Sequence, residues 1–389
     1  MTIPPSEALL LTELYPPTVG GSAVLFENFY TRLGPAVSVR VLTDGSGQAR
    51  TQAGLPVATV PMTGPDWGVL APASLARHLR VARALRRVRP RPDLVHCGRA
   101  LPEGLSARLA GLPYLCWTHG EELGFASSSR ELTWLMRRTY AGARAVLANS
   151  RNSAQLLETA WGVPAARITV VHPGVDSTRF HPDADAGDWR RRFAPKGETL
   201  FLSVGRLQRR KGHDAVVRAL AELKDLPVRY LIAGDGPTRQ DVADQAREAG
   251  LADRVIFLGV VDDGLLPGLY AACDVFVMPN RLEGVDFEGF GIVFLEAASC
   301  GRPAIGGRSG GVAEAIEEGV TGLLVDGTDA GELAASMRRL AADRALRERL
   351  GAAGRLRAVA RFSWQAGASL VAQVHDGARL TRPGYAGVW

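Results

Sequence analysis

Short, continuously apolar runs alternate with helix-patterned segments along the whole chain, and this alternation restricts the fold more than any other feature. In the first half the runs cover residues 9–12, 37–42, 57–61, 94–97, 114–118, 145–148 and 168–171. Helical patterns over 22–33, 74–88 and 132–140 lie between them. In the second half the runs cover 200–204, 229–233, 255–258, 275–278, 303–305 and 322–325, with helical patterns over 213–223, 238–249, 292–299 and 330–340. Strands that are apolar at every residue, not every second one, are covered on both faces. That is the condition of a parallel sheet between layers of helices. A single core stops growing near ~250–300 residues, so the 389 residues predict two α/β domains, each doubly wound and Rossmann-like. A polar, turn-rich stretch over 176–196 follows His172-Pro173-Gly174, and the expected domains are 1–180 and 181–365. The tail over 341–380 reads as helical, and its last segment, about 366–389, is expected to pack back on the first domain. Open parallel sheets bind ligands at the carboxyl ends of their strands. With two domains facing each other, the cleft between them is the expected site.

A content of 46% hydrophobic and 22% charged residues is that of an ordinary globular chain, with apolar material for two cores. No apolar run reaches the ~18–20 residues needed to span a bilayer, and residues 1–8 lack the pattern of a secretory signal. A cytoplasmic location is expected. Cys97, Cys116, Cys273 and Cys300 are far apart in apolar stretches, which predicts buried, reduced thiols and neither a zinc site nor a disulfide framework. The net charge of +6 is unevenly placed, with seven arginines and no acid between Arg77 and Arg91. Arg77, Arg80, Arg83 and Arg87 recur at helical spacing, opposite Leu75, Leu79, Ala82 and Leu85. One reading is a solvated helix face; the other is a patch that meets an anionic membrane or polyanion. Both remain open, and nucleic acid is not an expected partner.

The chemistry-bearing residues follow the strands. Gly205-Arg206 and Lys211-Gly212 come directly after the run 200–204. Arginine grips phosphate oxygens bidentately and lysine adds a point charge, so the loop suits a diphosphate, although taken alone it reads equally as a surface loop with ordinary basic residues. Downstream, Glu288-Gly289-Phe290-Gly291-Ile292 leads into a helix. The unpaired amides of its first turn form an anion site. Glu288 just before that turn is placed to accept hydrogen bonds from sugar hydroxyls. Glu296, eight residues on near the same helix face, is placed to hold a ribose diol. Gly234-Asp235-Gly236-Pro237 lacks the third glycine of a dinucleotide fingerprint. No GxxxxGK[ST] loop and no Gly-x-Ser-x-Gly elbow occurs, which argues against an NTPase and a serine hydrolase. No Asp-x-Asp pair stands at a strand end, so neither metal nor cofactor is expected.

Glu288-x7-Glu296 with Gly205-Arg206 and Lys211-Gly212 upstream resembles the family-4 retaining glycosyltransferases of the GT-B fold. Gly234-Asp235-Gly236-Pro237, Ser309-Gly310-Gly311, Tyr15-Pro16-Pro17 with Gly20-Gly21, and Trp117-Thr118-His119-Gly120 match the same family, in order, over nearly the whole chain. The resemblance implies a donor diphosphate on Arg206 and Lys211 and its ribose on Glu296. It implies sugar hydroxyls and phosphate on Glu288 with the backbone of Gly205, Gly289, Phe290, Gly291 and Ile292. Gly20 and Gly21 would lie near the phosphates and His119 near the transferred sugar, although His119 alone reads equally as a buried, satisfied histidine. It further implies a front-face substitution that retains the anomeric configuration, with the departing diphosphate taking the acceptor's proton. The stretch 278–297 is similar to phosphatidylinositol mannoside mannosyltransferases, which implies GDP-mannose as donor and a lipid or glycan acceptor at the membrane surface, where the protein would be peripheral. UDP-sugar-dependent glucosyl or N-acetylglucosaminyl transfer, a nucleotide-sugar epimerase, and a non-catalytic polyanion- or membrane-binding protein are the alternatives. Arg99, Glu103, Arg130 and Trp67 are candidate rim residues that the sequence does not rank.

Overall fold

The computed structural model describes residues 5–18, 20–45 and 50–380. The chain forms two compact units, Met1–Pro173 with Trp364–Trp389, and Gly174–Ser363. Each is a Rossmann-like α/β lobe, the two-lobed architecture of GT-B proteins.

In the first unit the strands are β1 (Ser6–Thr12), β2 (Val37–Asp44), β3 (Arg50–Gln52), β4 (Leu55–Val60), β5 (Leu94–Cys97), β6 (Tyr114–Thr118), β7 (Val146–Ala148) and β8 (Ile168–Val170). They form one sheet in the order β3-β4-β2-β1-β5-β6-β7-β8. All pairs are parallel except β3 with β4. Nothing in the chain signals β3, because Arg50-Thr51-Gln52 carries no apolar run. In the second unit, β9 (Thr199–Val204), β10 (Val228–Ala233), β11 (Val255–Gly259), β12 (Val275–Met278), β13 (Ala304–Gly307) and β14 (Gly322–Val325) form an all-parallel sheet. Its order is β11-β10-β9-β12-β13-β14. Leu9, Leu10, Leu11, Leu115, Trp117, Leu200, Phe201 and Leu202 are all buried, so the central strands are covered on both faces. In both sheets the winding reverses beside the first strand, between β1 and β5 and between β9 and β12. Loops leaving those strands sit where such folds bind ligands.

One expected helix face is turned. The helix Pro72–Arg87 buries Ser74, His78, Val81, Ala82 and Leu85, whereas Leu75 and Leu79 are exposed. Polar partners set this rotation. His78 Nδ1 meets Ser106 Oγ at 3.0 Å and its Nε2 the carbonyl of Trp67 at 3.2 Å, so a histidine occupies the core face where Leu75 and Leu79 were expected. Arg77 donates to the Asp66 carbonyl and to Ser74 Oγ, and Arg86 donates to the carbonyls of Leu109 and Ala110. Arg80, Arg83 and Arg87 remain exposed beside Leu75 and Leu79. All four cysteines are free and buried. Among the described residues, no helix is long and apolar enough to cross a membrane.

The helix Arg344–Arg361 is followed by Trp364–Leu380, which packs on the first unit; residues 381–389 of the expected tail lie outside the described residues. Trp364 meets Phe29 edge-on at 5.1 Å between ring centroids. A side chain at Gly367 would run into the Phe29 ring. A buried polar chain completes the contact. Trp117 Nε1 donates to the Tyr30 hydroxyl at 2.9 Å, Tyr30 meets His96 Nδ1 at 2.8 Å, His96 Nε2 meets His375 Nδ1 at 2.8 Å, and His375 Nε2 meets Ser6 Oγ at 3.1 Å. Burial holds both histidines below their ordinary pKa. Their folded-state pKa is depressed, so the stability they contribute is present above the unfolded value of ~6.5 and is lost as pH falls below it. Replacing His375 by Ala strips His96 Nε2 of its partner. Chemical denaturation at pH 7 should show a loss of about 1–3 kcal/mol, and the decline in stability from pH 7 to pH 5 should be shallower than in the wild type.

Candidate active site

In the second unit the predicted diphosphate loop leaves β9. Arg206 is exposed and makes no hydrogen bond or ion pair among the described residues. The turn Arg209–Lys211 follows and ends at Gly212, whose φ is +76°. A Cβ at Gly212 would collide with the Pro279 carbonyl, so only glycine lets this turn close on the end of β12. Lys211 Nζ lies 2.5 Å from Glu288 Oε2.

Glu288 is 9% exposed. A carboxylate so enclosed is costly unless paired and hydrogen-bonded. Besides Lys211, Arg210 Nη1 donates to the same Oε2 at 2.8 Å, and Asn280 Nδ2 at 2.9 Å. Burial alone would raise the Glu288 pKa; Lys211 and Arg210 outweigh it and hold the carboxyl below its ordinary value. Its backbone carbonyl accepts from Gly311 N at 2.9 Å, and a Cβ at Gly310 would collide with that carbonyl. Gly291 is the N-cap of the helix Ile292–Ser299, and no side chain caps its first turn. The Phe290 ring is in the core, 5.7 Å from Phe362 between centroids, so Phe290 can serve a ligand only through its backbone. Gly289 and Ile292 are half-buried. One helical turn further, Glu296 Oε2 accepts from the Tyr270 hydroxyl at 2.7 Å. Burial pushes the Glu296 carboxyl up to about 7, against the pull of that hydroxyl and of Arg179.

The first unit carries its own strand-end cluster. His119, directly after β6, sends Nε2 to the Gly98 carbonyl at 3.0 Å, which fixes the proton on Nε2. Its backbone N–H donates to Glu122 Oε1 at 2.8 Å, and Asn149 Nδ2 donates to its carbonyl at 3.1 Å. Burial first and the Arg99 charge second lower the His119 pKa to about 4, so at neutral pH the ring is uncharged and its Nδ1 is an acceptor. Nδ1 has no partner among the described residues. The Phe26 ring meets the imidazole edge-on at 5.4 Å. Gly20 is the N-cap of the helix Gly21–Tyr30, again without a side-chain cap.

Arg99 and Glu103, unranked from sequence, prove central to a buried ion cluster. Arg99 Nη2 lies 2.5 Å from Glu13 Oε2 and 3.5 Å from Glu103 Oε1, and its guanidinium stacks 4.9 Å above the Trp67 ring. Burial, then the Glu103 charge, pushes Glu13 to about 7 despite Arg99. Arg130 is exposed at the start of another helix and takes no part. The sequence reading missed Arg210, Asn280, Glu13 and Glu122. Glu13 follows β1 directly, so the strand-end rule could have found it; Arg210 carried no signal beyond its place next to Lys211. Among the described residues, no group of three or more His, Cys, Asp or Glu side chains is arranged to hold a metal ion.

Each lobe is built on a largely parallel sheet with charged side chains near its strand ends, and the comparisons with known proteins give the class, a nucleotide-sugar glycosyltransferase. The family "Glycosyl transferases group 1" matches residues 186–357, and "Glycosyltransferase Family 4" matches residues 19–179. The chain is 34% identical over 392 residues to the GDP-mannose-dependent alpha-(1-6)-phosphatidylinositol monomannoside mannosyltransferase of Mycobacterium tuberculosis, covering 95% of this chain and 97% of that protein. It is 36% identical over 243 residues to a D-inositol 3-phosphate glycosyltransferase of Thermobispora bispora, covering 59% of this chain and 55% of that one. Among solved structures, HepE of Anabaena in complex with UDP and glucose superposes with a TM-score of 0.80 at 21% identity, over 96% of this chain and all (100%) of that one. The chain belongs to the GT-B glycosyltransferases of the group 1/family 4 superfamily and is an enzyme that uses a nucleotide-diphosphate sugar.

The ribose role that the resemblance implies for Glu296 carries a checkable pH dependence. In that role a carboxylate would accept two ribose hydroxyl hydrogens, whereas the protonated acid would accept them less well. With a carboxyl pKa of about 7, nucleoside diphosphate affinity should rise between pH 6 and 8. Glu296→Gln should weaken binding by about 1.5–3 kcal/mol at pH 8 and abolish that rise, as measured by titration calorimetry.

Proposed function

We propose that this enzyme moves a hexosyl group from a nucleotide-diphosphate sugar to a hydroxyl of an inositol-bearing acceptor, with retention at the anomeric carbon. The observation that carries the donor part is the second unit's strand-end site. It combines the uncommitted Arg206, Lys211, an uncapped helix start at Gly291 and a charged Glu288. Arg206, Lys211 and the amides at Gly291 and Ile292 would stabilise the departing diphosphate, and this electrostatic stabilisation, with positioning, supplies the rate. Glu288, a carboxylate held by three donors, is suited to accept a sugar hydroxyl and not to deliver a proton. His119 is uncharged at neutral pH and suited to accept a hydroxyl through Nδ1. The acceptor's proton would go to the departing diphosphate.

GDP-mannose as donor is supported by three mannosyltransferases at 34–36% identity. A UDP-sugar is the second reading, supported by the Anabaena HepE structures with UDP and UDP-glucose, which cover 95–96% of this chain. The inositol-bearing acceptor rests on the names shared by the two sets of relatives, phosphatidylinositol monomannoside and inositol 3-phosphate. For a lipid acceptor, the exposed Leu75 and Leu79 beside Arg80 and Arg83 offer an apolar and cationic face to an anionic membrane surface.

Thermal unfolding with GDP, UDP and ADP in turn, without metal, tests the donor. At ~100 times its dissociation constant the right nucleotide should stabilise the fold by about 2.7 kcal/mol. GDP alone would support mannose, UDP alone would move the assignment to a UDP-sugar, and no shift with any would overturn the donor site. Cosedimentation with phosphatidylglycerol vesicles tests the surface: the wild type should bind, and Arg80→Glu with Arg83→Glu should lose most of that binding, by about 1 kcal/mol per removed cation or more.

A further inference from the structure

Glu288 is held asymmetrically. Its Oε2 takes Arg210 Nη1, Lys211 Nζ and Asn280 Nδ2 at 2.8, 2.5 and 2.9 Å. Its Oε1 makes no hydrogen bond among the described residues. Two of the three donors are cations from one short turn, and they differ in what else holds them. Arg210 Nε lies 3.0 Å from Asp286 Oδ2, and its backbone carbonyl accepts from Arg281 N at 2.9 Å. The Arg281 guanidinium is in turn held by both oxygens of Asp214, at 2.9 and 3.0 Å. Arg210 is 9% exposed, whereas Arg206 and Arg209 are exposed. The Lys211 ammonium has no hydrogen bond or ion pair besides Glu288 among the described residues.

This creates a conflict if Lys211 is the lysine that meets the donor diphosphate. One ammonium cannot fully serve both Glu288 and a phosphate, and a buried carboxylate stripped of its cation is strongly destabilised. We propose that Arg210, braced by Asp286, is a positioning residue: it holds Glu288 in place with Oε1 free for a sugar hydroxyl, so that Lys211 can turn to the phosphate. The inference rests on the donor-site reading above. Arg210 itself is not a phosphate ligand, because its guanidinium is already shared between two carboxylates. The charged groups around Glu288 are Lys211 and Arg210 from the turn and Asp286 from its own loop; Asn280 at the end of β12 is neutral. With Lys211 engaged on phosphate, Arg210 is the cation left to keep Glu288 in its charged form.

The test compares wild type, Arg210→Gln, Arg210→Lys, Asp286→Asn and Lys211→Ala as full chains. Affinities for GDP and UDP come from calorimetry, and kcat and KM for sugar transfer are measured from pH 5 to 9. For Arg210→Gln the expected result is a fall in kcat of about 10²-fold from misplacing Glu288, with the acid limb of kcat/KM moved up by about one pH unit or more. Nucleoside diphosphate affinity should fall far less than in Lys211→Ala. Arg210→Lys should restore most of the limb, and Asp286→Asn, which leaves Arg210 in place, should move it less. A loss of kcat with the acid limb unmoved in both Arg210→Gln and Asp286→Asn would overturn the proposal, as would a loss of nucleotide affinity in Arg210→Gln equal to that of Lys211→Ala. A wild type that binds neither nucleotide overturns the donor-site reading and this inference with it. A wild type that binds and transfers, with Arg210→Gln behaving like wild type, overturns the inference alone.

Discussion

The second unit is organised around one buried negative charge. Enclosing the Glu288 carboxylate removes it from water, and the cost is tolerable only where cations and hydrogen-bond donors replace the lost solvent. Arg210 and Lys211 from the turn after β9 and Asn280 from the end of β12 converge on a single oxygen. That convergence ties the loop after β9 to the loop before Ile292–Ser299 across the point where the sheet reverses its winding. The glycines follow from the same demand. Gly212 lets the turn close on Pro279, and Gly310 lets its own loop lie against the Glu288 carbonyl. Arg206 stands outside this network, exposed and without a hydrogen bond or ion pair among the described residues.

The first unit solves a similar problem with the charges reversed. There the buried cation is Arg99, flanked by Glu13 and Glu103 and covered by the Trp67 ring. Two acids compete for one guanidinium, and burial weighs on both, so Glu13 is pushed to about 7. His119 sits near this cluster but is kept neutral, with one ring nitrogen fixed on the Gly98 carbonyl and the other available as an acceptor. The two units thus present opposite electrostatic arrangements at their strand ends: a carboxylate clamped by two cations in one, and a clamped cation near a neutral imidazole in the other.

Much of the fold was legible because parallel strands covered on both faces leave continuous apolar runs, and 94–97, 114–118, 275–278 and 322–325 are observed strands to the residue. The strand β3 was not legible, since a short antiparallel edge strand needs no apolar run. The orientation of the helix Pro72–Arg87 was misjudged for a related reason. Hydrophobicity ranks Leu75 and Leu79 above Ser74 and His78, but the polar pair finds partners in Asp66, Ser106 and the Trp67 carbonyl and takes the inner face. Satisfied polar groups outweighed exposed leucines, and no periodicity calculation contains those partners.

The amino-acid sequence by itself determined the two Rossmann-like lobes and the placement of Arg206, Lys211, Glu288 and His119 at the ends of strands or the start of a helix, because periodicity, turn chemistry and strand ends are properties of neighbouring residues. Only the tertiary structure decided the partners. Arg210 meets Glu288 across a separation of 78 residues, Arg99 meets Glu13 across 86, and His96 meets His375 across 279. Each of those contacts is selected by the cost of leaving a buried polar group unpaired, and that cost exists only once the sheets and helices have closed around it.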